Sequence, residues 1–394
     1  MSSYCIFSAH YLPHIGGIEK YTDNLARELG SQGCQVTVVT NALNNDAGIE
    51  KLSSNVDIVR LPCFPAVGGR LPIPKRNKLF KELWKKVSGR RFDGVLINAR
   101  FYPHTFLGLR LSSCQGVRPF VVDHGSAYLT FGSAILDPIV ARYERVVTHF
   151  VKRYDPIFFA VSNKGVQWLK NFEIQGEGVL SNSIDAVSYR SSASARDYRF
   201  EFGIDEATMI VAYTGRLIPE KGIVRLMEAA RILKSRNVPV VFALAGDGPL
   251  REKAESLNPG NVFFLGRTTP SDVAALMLQA DLLCMLTRSE GFSTTLLEAS
   301  ACGTPALITD VGGVDELIPD ESYGTVLAGD TAEEAALQIE RLERNRGLLK
   351  SQGEKVADRV ERMFSWRNTA NAFIEACGEF NSELVDDSAN ESVR

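Results

Sequence analysis

Apolar residues are distributed along this chain in two alternating ways. Short, nearly unbroken apolar runs are separated by longer stretches in which apolar positions recur every three or four residues. The runs read as strands buried on both faces, and the stretches between them as amphipathic helices. In the first half the runs are Cys5–Ala9, Val36–Thr40, Val95–Asn98, Pro119–Val122 and Ile157–Val161. In the second they are Met209–Thr214, Val240–Leu244, Val262–Leu265, Leu282–Leu286, Pro305–Ile308 and a weaker Gly324–Leu327. Glu19–Leu29 shows the helical period through Tyr21, Leu25, Ala26 and Leu29, and Ser293–Ala301 suits a helix with Ser293 or Thr294 as its cap. Strands alternating with helices predict an α/β chain of two doubly wound parallel-sheet domains. From Ala186 to Arg199 the composition turns to Ser, Ala, Arg and Tyr without apolar period, which puts the boundary at 187/188. Residues 61–74, rich in Pro and Gly, read as a long loop, and 381–394 as a polar tail.

Composition narrows the class. Of the 394 residues, 45% are apolar and 23% charged, as in soluble globular proteins. No window approaches the roughly 18 uninterrupted apolar residues of a spanning helix. Met1 leads directly into the first run without the charged and apolar regions of a signal peptide. Seven scattered cysteines without a Cys-x-x-Cys suggest reduced thiols in a cytoplasmic protein, and the five histidines show no ligand spacing, so no metal is expected.

The net charge of −3 hides an asymmetry: residues 1–185 hold 22 Lys and Arg against 15 Asp and Glu, so the remainder is strongly acidic. Much of the basic excess lies in 75–91, where Leu79, Phe80, Leu83, Trp84 and Val87 share one helical face. Such a helix either packs on a sheet with a solvated basic face or lies on an anionic membrane surface. Arg142, Arg145, Lys152 and Arg153 on an expected helix over 139–154 extend the same character. No nucleic-acid partner is indicated.

Candidate chemistry clusters just beyond strand ends, where open parallel sheets bind ligands. Gly16-Gly17 after the first strand is either a tight turn or a place where backbone can approach an anion. Asp123-His124-Gly125 puts His124 at another strand end, as a structural residue or a ligand contact. After Met209–Thr214 come Arg216 and Lys221, a rigid fork and a point charge suited to phosphate. Gly246 and Gly248 follow the next strand, and Arg267 the one after it. Glu290 and Glu298 flank a helix start that offers unpaired N–H groups to an anion. Cations, carboxylates and flexible backbone on one rim suit a diphosphate, sugar hydroxyls and a base.

These segments resemble a known family. Tyr213-Thr214-Gly215-Arg216-Leu217-x-x-Glu220-Lys221-Gly222, Gly246-Asp247-Gly248-Pro249-Leu250, Glu290-Gly291-Phe292-(x5)-Glu298-Ala299-(x2)-Cys302-Gly303-Thr304-Pro305 and Val311-Gly312-Gly313-Val314-Asp315-Glu316-Leu317-Ile318 are similar to glycosyltransferase family 4. The N-terminal half matches through Pro13-His14-x-Gly16-Gly17-x-Glu19-Lys20, Asp123-His124-Gly125 and Asn182-x-x-Asp185. The resemblance implies a retaining enzyme of GT-B fold, two Rossmann-like domains facing across a cleft. The acceptor domain would span 1–187, joined by a crossing helix at about 364–380, and the donor domain 188–363. The enzyme would move a hexosyl unit from a nucleotide-diphosphate sugar to a glycan or lipid-linked acceptor in polysaccharide or glycolipid synthesis, without cofactor or metal. Its place would be the cytoplasm, peripherally on the membrane.

The family further implies that Arg216 and Lys221 bind the donor diphosphate, with Ser293, Thr294 and Thr295 cradling phosphate and Gly16 and Gly17 closing over it. Glu298 would hold the ribose, Gly246 and Arg267 would lie by the base, and Glu290 would face the sugar as the catalytic residue with His124 beside it. Ser293 stands where glycine is common, and Thr294-Thr295 replaces an apolar pair. The chain has no Asp-x-Asp, which argues against a metal-dependent GT-A enzyme. An inactive donor-binding scaffold and a nucleotide-sugar epimerase of similar fold stay open as alternatives.

Overall fold

The computed structural model describes the chain except residues 15, 45, 130–133 and 392–394, with 381–391 described by backbone alone. It divides into two compact units, residues 1–182 with 366 onward, and residues 183–365. The division falls at 182/183 and 365/366, where composition put the first boundary at 187/188 and the family resemblance the second at about 364.

The first unit holds β1 (Ser3–Ser8), β2 (Gln35–Ala42), β3 (Gly48–Lys51), β4 (Val56–Ala66), β5 (Leu71–Pro74), β6 (Gly94–Asn98), β7 (Pro119–Asp123), β8 (Ile157–Ala160) and β9 (Gly178–Val179). Their order is β3-β4-β2-β1-β6-β7-β8-β9, with β5 on β4. All pairs are parallel except β3 and β5 against β4. The second unit holds β10 (Met209–Thr214), β11 (Val240–Ala245), β12 (Val262–Gly266), β13 (Leu282–Met285), β14 (Ala306–Thr309) and β15 (Thr325–Leu327). Its order is β12-β11-β10-β13-β14-β15, parallel throughout. Each order reverses at its first strand, at β1/β6 in one sheet and β10/β13 in the other, and such reversals open crevices at the strand carboxyl ends. The central strands are unbroken and buried, as parallel pairing covered on both faces demands. Helices Ile223–Ser235 and Ala332–Glu343 bring Leu226, Leu233, Ile339 and Leu342 into one core with Met209, Val211 and Phe242.

Three readings of the sequence change, and one left open, for 75–91, is decided. Residues 61–74 are not a long loop: β4 runs through Ala66 and turns into β5, a hairpin off the sheet where prolines are tolerated. The basic 75–91 stretch forms helix Lys78–Ser88, capped by Asn77. Its Phe80, Leu83 and Val87 are buried and Trp84 lies between Phe7 and Phe80, so most of the apolar face packs into the unit, while the lysines, Glu82 and Leu79 face solvent. Residues 186–199 contain a helix, Ala186–Ser191, capped by Asp185, and the start of another, Tyr198–Phe202. The expected polar tail, 381–394, is entered by helix Trp366–Glu391; residues 392–394 lie outside the described residues.

Candidate active site

The β10/β13 reversal brings together most of the residues expected to bind a donor. β10 ends at Thr214, and the loop carrying Arg216 and Lys221 turns through a short 3-10 segment, Pro219–Lys221. The loop is tied to its neighbours by backbone: Leu217 N donates to Asp247 O (3.0 Å) and Arg288 N to Glu220 O (2.9 Å). Lys221 Nζ donates to Glu290 Oε1, with both side chains largely shielded. Thr287 Oγ1 approaches the same carboxylate oxygen at 3.4 Å. Burial first, and the nearby Glu290 carboxylate second, push the Tyr213 phenol up. That hydroxyl donates to Arg216 O at 2.9 Å, which fixes the backbone while the Arg216 side chain is exposed to solvent.

Ser293 is the cap of helix Thr294–Ala301, its Oγ accepting from Leu296 N at 3.2 Å. Thr295 Oγ1 lies 3.3 Å from Thr214 Oγ1, pinning the helix start to the end of β10. Thr294 is half-buried beside it. Burial first, and Glu298 one turn along second, push the half-buried Tyr189 phenol up. Gly246 has φ +145°, and a Cβ there would lie 1.9 Å from Gly215 O. Its N donates to Gly266 O at 2.7 Å, so one glycine lets the loops after β10, β11 and β12 close on each other. Arg267 projects outward, 88% exposed, with Nε 3.4 Å from Asp247 Oδ2.

Some supports were invisible in sequence. Arg225 donates to Leu286 O at 2.8 Å and pairs with Asp330, which also pairs with Arg288 at 2.8 Å. This network braces the end of β13 from behind. Its partners are 105 positions apart, a distance across which local pattern carries no information.

His124, Gly16 and Gly17 belong to the first unit. His124 Nε2 contacts Asn98 Oδ1 at 2.8 Å, while Asn98 donates to Thr22. An amide oxygen only accepts, so Nε2 carries the proton. Burial drives the imidazole down to about 3, which keeps it neutral. Tyr21 packs edge-on against its ring at 4.8 Å. The preceding Asp123 is buried and pairs with Arg100 at 2.6 Å, and Arg100 reaches Glu144 at 2.9 Å. Burial raises both carboxyls while Arg100 pulls them down. This buried triad, also missed in sequence, holds the His124 loop to helix Leu136–Lys152.

The glycine pair has a reason the pattern did not show. A Cβ on Gly16 would lie 2.3 Å from Glu19 Oε2, whereas Gly17 faces open space. Glu19 is buried and accepts from His14 Nδ1 at 2.9 Å; His14 stacks on His10 with ring centroids 4.8 Å apart. A side chain at Gly16 would push aside the Glu19 carboxylate, the far end of a flexible chain, and disturb its hold on His14. His10, His14 and Glu19 offer ligand atoms within 4.8 Å of one another, the one group among the described residues with metal-ligating composition. The sequence reading found no ligand spacing among the histidines, because the turn, not a helix, brings positions 10 and 14 together. Among the described residues no helix is long and apolar enough to cross a membrane.

Two doubly wound parallel-sheet units, the second with cations and carboxylates at its reversal point, define the GT-B class of glycosyltransferase fold. Sucrose-phosphate synthase from Thermosynechococcus elongatus shares it, with TM-score 0.74 at 20% identity over 97% of this chain and 100% of that one. So does Anabaena HepE in complex with UDP-glucose, with TM-score 0.70 at 17% identity over 96% and 100%. Residues 15–216 match the model of Glycosyltransferase Family 4, and 194–359 that of Glycosyl transferases group 1. The chain belongs to Glycosyltransferase Family 4 and is a transferase. Among its relatives is the phosphatidylinositol N-acetylglucosaminyltransferase GPI3 subunit of Saccharomyces cerevisiae, 24% identical over 93% of this chain and 80% of that protein.

Proposed function

We propose that the protein transfers a hexosyl unit, with retention, from a nucleoside-diphosphate sugar to a glycan or lipid-linked acceptor, and that it does so without a metal. The observation that carries this reading is the Lys221–Glu290 pair beside the solvent-facing Arg216 at the β10/β13 reversal. When the glycosidic C–O bond breaks, negative charge develops on the departing diphosphate. Cations placed there stabilise the transition state more than the ground state. Glu290 aligns Lys221 and presents its remaining acceptor capacity to the sugar. The Ser293-capped helix start adds N–H groups on the phosphate side, Glu298 takes the ribose, and Gly246 and Arg267 flank the base. His124, neutral and with its Nε2 proton committed to Asn98, serves the reaction as a fixed hydrogen-bonding group on the acceptor side rather than as an acid. The HepE–UDP-glucose complex and the phosphatidylinositol-directed yeast relative support a nucleotide-sugar donor and a lipid-linked acceptor.

Release of nucleoside diphosphate only when acceptor is supplied distinguishes transfer from epimerisation and from a donor-binding scaffold. Lys221→Ala and Arg216→Ala should each lower kcat/KM by about 10²–10³. Turnover should survive exhaustive chelation; loss restored by added divalent cation would refute the metal-free reading.

A further inference from the structure

The turn that leaves β1 carries a cluster that the transfer reading does not use. His10 follows the strand, His14 lies in the loop beyond it, and Glu19 sits in the first turn of helix Gly17–Ser31. Each offers a ligand atom, and the three atoms lie within 4.8 Å of one another. Buried hydrogen bonds fix the backbone that presents them. His14 N donates to Tyr11 O at 3.1 Å, Ser8 Oγ to His10 O at 2.7 Å, and Asn41 Nδ2 to Ala9 O at 2.8 Å. All belong to the first unit, whereas Arg216, Lys221 and Glu290 belong to the second.

His10 supplies the observation that points to a ligand. It is only 7% exposed, and its Nε2 lies 3.3 Å from Arg70 O. A carbonyl oxygen only accepts, so in the neutral ring Nε2 carries the proton and Nδ1 a lone pair. That Nδ1 is buried without a hydrogen-bond partner among the described residues. A buried acceptor without a donor is costly, and a bound cation removes the cost. Metal-binding imidazoles are oriented in this way, one nitrogen donating to a carbonyl and the other facing the ion. Glu19 is buried as well, and Gly16 leaves room for its carboxylate, since a Cβ there would lie 2.3 Å from Oε2. His14 Nδ1 and Glu19 Oε1 stand 2.9 Å apart. Two ligand atoms on one tetrahedral ion, at bonds of about 2.1 Å, stand about 3.4 Å apart, so a shift of about half an ångström lets an ion replace the proton this pair shares. His14, more than half exposed, is able to make that shift. All three residues line one cavity of about 860 Å³, which gives a hydrated ion its entry and leaves a water room as the fourth ligand.

We propose that His10, His14 and Glu19 form a binding site for zinc or a like divalent transition ion, which ties the end of β1 to the first turn of helix Gly17–Ser31. Two imidazoles and one carboxylate suit such an ion, whereas magnesium and calcium prefer oxygen throughout. The ion clamps the segment that contains Gly16 and Gly17 from both sides. Its role is a hold on the backbone, so the metal-free transfer proposed above stands apart from it.

The test uses the untagged full-length protein, stripped with a chelator and desalted, and titrates zinc chloride by calorimetry. One ion per chain is expected. His14→Ala, at an exposed position, and Glu19→Gln, which keeps the side chain's shape, should each weaken binding at least about tenfold. His10→Gln should do the same, and because His10 is buried the two other variants carry the test if that one fails to fold. Zinc should raise the melting temperature of the parent protein and of neither variant. Cobalt(II) in place of zinc should give visible absorption bands that vanish in His14→Ala and Glu19→Gln. Absence of stoichiometric zinc binding would overturn the proposal. So would zinc held as tightly by both variants as by the parent, which would put the ion on the thiols or on other histidines, and so would magnesium bound as tightly as zinc. Turnover does not enter this test: its loss on chelation counts against the metal-free reading and not against the site.

Discussion

Lys221 and Glu290 are each other's nearest charge, and that pairing makes different predictions for the two partners. Lys221→Ala removes the proposed diphosphate contact and takes the paired cation from a largely shielded carboxylate, so both donor affinity and turnover should fall. Glu290→Gln keeps the shape and frees the lysine; turnover should drop by about 10² or more while nucleoside-diphosphate affinity stays the same or rises. Isothermal titration beside steady-state kinetics reads both, and parallel losses of affinity and turnover in Glu290→Gln would refute a positioning role. A second prediction follows from two imidazoles. Burial lowers His104 to about 4 and His124 to about 3, both below the ordinary 6.5. Above pH 6.5 neither group is protonated in either state. As pH falls from 6.5 toward 4, the unfolded chain binds protons that the folded one refuses, and stability is lost. Asp123 and Glu144, whose carboxyls are raised, work in the opposite sense, because the folded chain takes up their protons above the ordinary 3.8 and 4.5. Thermal melts should therefore drop between pH 7 and pH 5, and the drop should shrink in His104→Gln and His124→Asn; an unchanged slope would refute the assignment.

At the scale of elements, what was legible depended on period. Buried parallel strands announce themselves as unbroken apolar runs, so both sheets and the helices between them could be read along the chain. The candidate site residues Arg216, Lys221, Ser293 and Glu298 stood out because they sit at strand–loop–helix junctions whose local chemistry is explicit. β4 and β5 were lost because Pro62, Pro65, Pro72 and Pro74 have the composition of a loop; Pro65, Pro72 and Pro74 are accommodated in an antiparallel edge hairpin, and Pro62 at the last parallel pair with β2. Helix Lys78–Ser88 was legible as amphipathic, but periodicity does not say whether an apolar face meets protein or lipid. The Arg100–Asp123–Glu144 and Arg225–Asp330–Arg288 networks join distant positions and leave no local trace. Loop closure gives a third prediction. Gly246→Ala forces a Cβ onto Gly215 O in a backbone conformation alanine rarely adopts, and should cost several kcal/mol or displace the Arg216 loop. Gly17→Ala, with nothing within 4 Å of the added carbon, should leave stability nearly unchanged. Denaturant midpoints for the two variants check the contrast.

Across the whole molecule, each unit has its own sheet and core, and the charge asymmetry follows the division only roughly. The first unit is closed by the end of the chain: Phe373 packs on Tyr4 at 5.2 Å and on Phe120 at 5.7 Å, and Thr369 donates to Ser181 O at 3.0 Å. Phe373 and Cys377 are almost fully buried there. Ending the chain after Ser365 should therefore lower the melting of the first unit and leave the second near its original temperature, so that calorimetry resolves two transitions. A single unshifted transition would show that the last helix adds little.

That last helix also sets a timetable for synthesis. Residues 183–365 are threaded between the two parts of the first unit, so the first sheet emerges from the ribosome long before residue 373 exists to cover it. At about 5–20 residues per second, the roughly 200 intervening positions take on the order of 10–40 s. During that interval the sheet face around Tyr4 and Phe120 is bare, while the inserted unit can complete its own core. An apolar face of the first sheet thus stays open to water until the last helix has been made.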